Sequence, residues 1–309
     1  MNWWILGGAL IAGFAVSTLS VSASIKIAHR IDFLDYPDSQ RKAQTRPVPK
    51  LGGVAVAAAF TVTAFVALLV LDLPGEIRLA ASALVPALFA GLIGYVDDRR
   101  HLNPYLRLAL QAAIGLMVWW LGARTSIFEP EWANAALVVI FVMLLINGLN
   151  LLDNSDGLAA STVAITGLGA SVIAVLAGQQ LVSVLGFTLV GVSLGFLRRN
   201  WFPARVYLGD SGAYFLATLL AVLIIRMRPE SVDQIRGIAI ALLLTLLPFV
   251  DTTYVVVRRM LAGIHPFTAG RDHLSHTLQA TGQSVPSSVL ILQVVVLVGV
   301  LGAVTLAIT

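Results

Sequence analysis

Apolar residues recur along this chain in runs of about 20, separated by short polar connections. Coiled as an α-helix at about 1.5 Å per residue, such a run matches a bilayer's hydrocarbon core of about 30 Å. Reading them in order gives spans near 3–28, 51–73, 77–96, 104–122, 133–152, 157–177, 180–198, 211–227, 235–257 and 287–308. Helices satisfy their own backbone groups where lipid offers no partners. The expected fold is therefore all-α, a polytopic integral membrane protein with about ten transmembrane helices, and one membrane-embedded domain covers 1–309. The first run lacks a basic leader and exceeds the usual apolar stretch of a secretory signal, so it is read as a retained helix. No inverted repeat of the transporter kind is visible.

Composition sharpens this picture. The chain is 58% hydrophobic and only 12% charged, about half the charge of a soluble domain. It contains no cysteine, which excludes thiol catalysis, disulfides and thiolate-bound metals. Charge placement then orients the spans. The connections after spans one, three, five, seven and nine share one side of the bilayer. They hold fifteen of the twenty basic residues, whereas the opposite side keeps only Arg78, Arg124, Arg226, Arg228 and Arg236. By the positive-inside rule the rich side is cytoplasmic and both termini lie outside.

The same five connections carry the unusual polar residues. In NGLNLLDNSDGLAAS (147–161), two carboxylates and three amides interrupt two apolar runs. A helix N-cap at Ser155 or Asp156 is the plain alternative, but it leaves Asn147, Asn150 and Asp153 unexplained. Asp153 and Asp156 are three apart and share a face if the segment is helical. Asp97 and Asp98 end the third span; two solvated charges beside Arg99 and Arg100 are the plain alternative, whereas a bound cation would relieve their mutual repulsion. Asp210 lies in LGDSG at the mouth of the eighth span, where it could equally be an N-cap; its glycines let a ligand approach the backbone. Asp251 lies within an apolar run, where a charge at mid-helix costs about 2.5–3.5 kcal/mol; an ion pair or a polar cavity would account for it. His273 and His276 fit a phosphate clamp with Arg271 better than a zinc site. Carboxylates and amides suit a hard cation such as magnesium, and basic groups with helix N-termini suit phosphates. Metal-assisted phosphoryl transfer at the cytosolic interface is the chemistry expected.

The ordered stretches RK…RPVPKLGG (41–53), YVDDRRHLNPYLRLALQ (95–111), NGLNLLDNSDGLA (147–159), ARVYLGDSGA (204–213), LPFVD (247–251) and RDHLSHTL (271–278) carry a resemblance. The chain resembles the polyprenyl-phosphate N-acetylhexosamine-1-phosphate transferases. The resemblance implies Mg²⁺ as cofactor, with Mn²⁺ as a substitute, a UDP-N-acetylhexosamine donor and undecaprenyl phosphate as acceptor. Membrane lipids are implied as surroundings, a homodimer is allowed, and no nucleic acid is expected. It implies catalytic roles for Asp97, Asp98 and Asp153, and metal binding by Asp156 and Asp210. Asn150, Arg107, Arg271, His273, His276, Asp251 and Lys42 are counted with the substrate-binding positions. Where the family commonly has D-G-x-D-G, this chain has DNSDG; asparagine tolerates a left-handed turn, so the turn is expected to survive. HLSH in place of a histidine run is similar to the branch that transfers GlcNAc-1-phosphate. The alternatives are the muramoyl-pentapeptide branch and a lipid-linked sugar transporter or flippase, the latter predicting polar groups spread through the bilayer. A CDP-alcohol phosphotransferase would place several aspartates on one helix, and no segment does so.

Overall fold

The computed structural model describes residues 3–37, 46–71, 76–227, 232–268 and 270–309. Lys42, an expected substrate-binding position, lies outside them. The chain runs α1 (Trp3–Arg30), β1 (Leu34–Asp35), β2 (Val48–Pro49), α2 (Gly52–Leu71), α3 (Ile77–Arg100), α4 (Pro104–Trp120) and α5 (Glu131–Leu152). It continues through α6 (Leu158–Leu176), α7 (Gln180–Asn200), α8 (Gly209–Arg226), α9 (Gln234–Leu244), α10 (Leu246–Leu261), α11 (Leu274–Ala280) and α12 (Val285–Ile308). The chain is an all-α, multi-pass membrane protein. Its only strands among the described residues are two residues each, paired antiparallel with Leu34 opposite Pro49.

Each expected span falls on helix, with two differences. Among the described residues, eight helices are long and apolar enough to cross a membrane, and α9 with α10 makes a ninth bent by 72° at its break. The expected continuous span at 235–257 is therefore broken, and its sequence explains why. Pro248 is the third residue of α10; lacking an N–H, it cannot donate to the carbonyl four residues back. Thr245 ends α9 and turns its hydroxyl back onto Ala241 O at 2.6 Å. The second difference is α4, whose 17 residues reach about 25 Å at 1.5 Å per residue, at the lower limit for a crossing.

Helix α8 lies at the centre. Every residue from Ser211 to Ile224 is buried, with α3, α5 and α2 packed around it. Charged side chains are rare along that stretch because nothing there could solvate them. The start of α2 is stitched to the start of α8. Gly52 N–H donates to Tyr207 O, Gly53 N–H to Leu208 O, and Tyr207 N–H to Pro49 O, at 3.2, 3.0 and 2.8 Å. A Cβ on Gly53 would lie 2.1 Å from Gly212 N, so the KLGG and LGDSG stretches touch backbone to backbone. That contact fixes where the mouth of α8 sits.

Candidate active site

The connections after α1, α3, α5, α7 and α10 meet at one end of the bundle, around the N-terminus of α8. Gly209 has φ 68°, a conformation that glycine alone adopts without strain. It turns its N–H to Asp153 Oδ2 at 3.1 Å, and Ser211 N–H donates to Asp98 Oδ2 at 3.1 Å. Two carboxylates from separate connections thus occupy the positive end of α8. Asp210 points into the same place. Its Oδ1 accepts from Asn150 Nδ2 at 2.6 Å, and its carboxyl is within hydrogen-bonding reach of Asp97.

Asp97 is the most tightly held of the group. It lies in the last turn of α3, 2% exposed. Its Oδ1 accepts from Leu102 N–H at 2.8 Å; its Oδ2 accepts from Arg107 Nη1 at 3.2 Å and Tyr214 Oη at 3.1 Å. Arg107, expected beside phosphates, is therefore an ion-pair partner of Asp97. Asp98 is paired with Lys50 Nζ at 3.3 Å. Burial alone would lower the Lys50 pKa, but the Asp98 carboxylate overrides it and holds the ammonium above its usual range. Among the described residues, neither Asp153 nor Asp210 has a cationic side chain within salt-bridge distance.

Asp156 lies at the edge of the group, close enough for its charge to add to the rise in the Asp153 pKa. The segment between α5 and α6 is a turn rather than a helix, so Asp153 and Asp156 do not share a face as a helix would have them. Asp156 Oδ2 accepts from Ala204 N–H at 2.8 Å and holds the connection that leads into α8. The N-cap of α6 is Gly157, with φ 79° and no side-chain cap. Neither Ser155 nor Asp156 caps that helix, and the left-handed residue is Gly157 rather than Asn154. Burial raises the Asp153 pKa well above the carboxylate range, and the Asp210 charge adds to it. Burial also raises Asp156, tempered by the Ala204 N–H. Asn147 belongs to the scaffold: its Nδ2 donates to Gln111 Oε1 at 2.6 Å and ties α5 to α4.

The tail motif docks beside this turn. Asp251, 1% exposed, holds His273 Nδ1 at 2.8 Å and accepts from Leu274 N–H at 2.8 Å. Its place in an apolar run is explained by that grip on the N-terminus of α11. His276 stacks near His273, with ring centroids 5.8 Å apart. Burial, with the charges of His273 and Arg271, lowers the His276 pKa to about 4, so the ring is neutral at pH 7. Among the described residues, its buried Nδ1 has no hydrogen-bond partner. Arg271 is exposed.

The residues fit a magnesium ion in kind, and the deficit of positive charge around Asp153 and Asp210 supplies a reason for one. Among the described residues, no three acidic or imidazole side chains close around one point. Magnesium, however, takes one or two carboxylates and fills its remaining positions with water and substrate phosphate. Reasoning from sequence missed Lys50, Tyr214 and Ser275. Lys50 was visible as the lysine directly before Leu51 and the paired glycines; Tyr214 lies four residues from Asp210 and hence on the same helix face.

Comparison with known proteins bears on this arrangement. The family model for glycosyl transferase family 4 matches residues 80–228, which include Asp97, Asp98, Asp153, Asp156 and Asp210. The chain is 30% identical to an undecaprenyl-phosphate alpha-N-acetylglucosaminyl 1-phosphate transferase of Thermotoga maritima, over 87% of this chain and 78% of the relative. It is 29% identical to a probable undecaprenyl-phosphate N-acetylglucosaminyl 1-phosphate transferase of Bacillus subtilis, over 93% and 82%. It is also 32% identical to a phospho-N-acetylmuramoyl-pentapeptide-transferase of Streptococcus pyogenes, over 63% of each chain. With matches of this extent running through the acid cluster, the chain belongs to glycosyl transferase family 4, as a polyprenyl-phosphate N-acetylhexosamine-1-phosphate transferase.

Proposed function

We propose that the chain transfers GlcNAc-1-phosphate from UDP-GlcNAc to undecaprenyl phosphate and releases UMP. The observation that carries this reading is the gathering of Asp97, Asp98, Asp153 and Asp210 from three connections around the N-terminus of α8. An oxygen of the lipid phosphate attacks the sugar-linked phosphorus. One P–O bond forms, the P–O bond to the α-phosphate breaks, and UMP leaves with the electron pair. The second pKa of a phosphate monoester is near 6, so the nucleophile is already mostly dianionic at pH 7 and a general base is hardly needed. Asp97 and Asp98 then act by position: Asp98 holds Lys50 at the mouth of α8, and Asp97 holds Arg107 and Tyr214.

Asp153 and Asp210, with Asn150 and Asp156 beside them, would hold Mg²⁺ or Mn²⁺. Bound there, the ion would offset the negative charge shared by donor and acceptor phosphates. Arg271 and His273 flank the donor pyrophosphate. His276, neutral at pH 7, offers it a hydrogen bond rather than a charge. The excess of basic residues on these connections supports a cytosolic position for this end of the bundle, with both termini outside. Undecaprenyl phosphate is named for the relatives of Thermotoga maritima and Bacillus subtilis that align over about nine-tenths of the chain. A muramoyl-pentapeptide donor is the second reading, supported by the Streptococcus pyogenes relative over 63% of the chain.

Purified protein in detergent, given UDP-GlcNAc, undecaprenyl phosphate and Mg²⁺, is expected to release UMP, and EDTA is expected to abolish the release. Failure with every UDP-N-acetylhexosamine would overturn the reaction. Turnover only with the muramoyl-pentapeptide nucleotide would move the chain to the second reading. Full activity in EDTA would remove the metal.

A further inference from the structure

Asn154 stands where the family resemblance leads one to expect glycine, yet the backbone there has no positive φ. Its side chain is a connector. Nδ2 donates to Leu151 O at the end of α5, which aims Oδ1 outward from the acid turn. There Oδ1 accepts a hydrogen bond from Ser275 Oγ at 2.5 Å, across 121 residues of sequence. Ser275 is 1% exposed and stands in α11 between His273 and His276, where HLSH departs from a histidine run. One turn further along α11, Gln279 Nε2 donates to Ser155 Oγ at 3.3 Å. The departure from the family pattern at 154 therefore meets the serine of HLSH in a single contact.

That contact matters because α11 cannot hold itself. Seven residues are too few for a helix to persist without tertiary support. Asp251 secures its first turn from α10, and Tyr254 Oη lies 3.3 Å from Thr277 Oγ1. Those bonds attach α11 to α10 only. The bonds from Asn154 and Ser155 attach it to the turn that carries Asp153 and Asp156.

Resting on the reading of the site given above, we infer that Asn154 and Ser275 are a positioning pair. Their hydrogen bond docks α11 on the acid turn and sets the gap between Asp153 and the Arg271–His276 stretch, across which the nucleoside-diphosphate sugar lies. Neither residue reaches the reacting atoms. Each acts through the groups on either side of it, where a misplacement of about 1 Å far from the chemistry can cost 10²-fold.

A double-mutant cycle on the full chain in detergent tests this with two readouts: hydrogen exchange of amides 274–280 without substrate, and steady-state kinetics. A single hydrogen bond of this kind corresponds to a change of about 3- to 10-fold. Asn154→Gly and Ser275→Ala are each expected to speed exchange of 274–280 by that factor. Each should raise the KM for the UDP-sugar by a similar factor while kcat stays within about twofold. The double variant should be no worse than either single one, because the bond is lost only once. Unchanged exchange in both single variants, or additive effects in the double, would overturn the pair. Asn154→Ala serves as a second removal of the acceptor should the glycine variant fold poorly. If the wild-type protein turns over no UDP-sugar, the functional reading falls, and the exchange cycle still decides whether the pair docks α11.

Discussion

At Asp210, function and stability pull in opposite directions. The carboxyl is crowded by Asp97, Asp98 and Asp153, and its one firm donor is Asn150. Asp210→Asn keeps the shape and removes the charge. UMP release is expected to fall by about 10²–10³-fold, the scale of losing one preorganised charge-stabilising group. The thermal unfolding midpoint in the same detergent should hold or rise, since like charges at close quarters are relieved. Loss of both would make Asp210 a structural residue. The Arg259–Asp272 pair is a second residue-scale case. Nε and Nη2 of Arg259 donate to the two carboxylate oxygens at 2.7 Å each, and that bond holds the Asp272 pKa below the usual carboxylate range. A value lower in the folded than in the unfolded state means the pair stabilises the connection above the unfolded Asp pKa of about 3.9. That contribution is lost as pH falls through the lower, folded value. Protease sensitivity of the 262–272 connection should therefore rise in acid, and an Asp272→Asn variant should be sensitive at every pH.

At the level of elements, the tight joint is the one between α2 and α8. A methyl on Gly53 would lie 2.1 Å from Gly212 N and 2.5 Å from its Cα, backbone atoms that cannot swing aside as the Ser211 hydroxyl could. Gly53→Ala is expected to cost about 1–3 kcal/mol of stability by overpacking and to lower activity, because the mouth of α8 moves with it. Gly7→Ala, which has nothing within 4 Å, should change the unfolding midpoint little. The positions of the helices were legible in the sequence because lipid demands long apolar runs, and every run but that at 235–257 marks one helix. The bend at Thr245 was less legible: Pro248 was visible, but a proline can kink a helix or merely be tolerated, and packing decides which. At 153–157 the sequence leaves the backbone open for a related reason. Spacing places Asp153 and Asp156 on one face only if the backbone is helical, and Gly157 makes it turn instead.

For the whole molecule, the legible part of the site was its chemistry, and the illegible part was its pairing. Carboxylates at four helix ends announced a cation-dependent reaction, since buried charge without such a use is costly. Which lysine meets which aspartate depends on how α2 lies against α8, so Lys50 and not a residue chosen by proximity in sequence became the partner of Asp98. The two ends of the bundle also differ in kind. Around α8's N-terminus, carboxylates from several connections face one another. At the other end, Arg226 bonds Ser82 Oγ and Leu121 O, Gln179 bonds Arg226 O, and Arg124 bonds Glu131, a set of ties between neighbouring helices. The absence of cysteine makes the orientation directly measurable. Glu129, exposed before α5, and Ala262, exposed after α10, lie on opposite ends by the order of the spans. A membrane-impermeant maleimide on intact cells, with any outer membrane made permeable, should label a Glu129→Cys variant and spare Ala262→Cys. Rupture of the inner membrane should then expose the latter. The reverse pattern would put the acid cluster outside, away from a cytosolic nucleotide sugar, and would sink the proposed reaction while leaving the fold untouched.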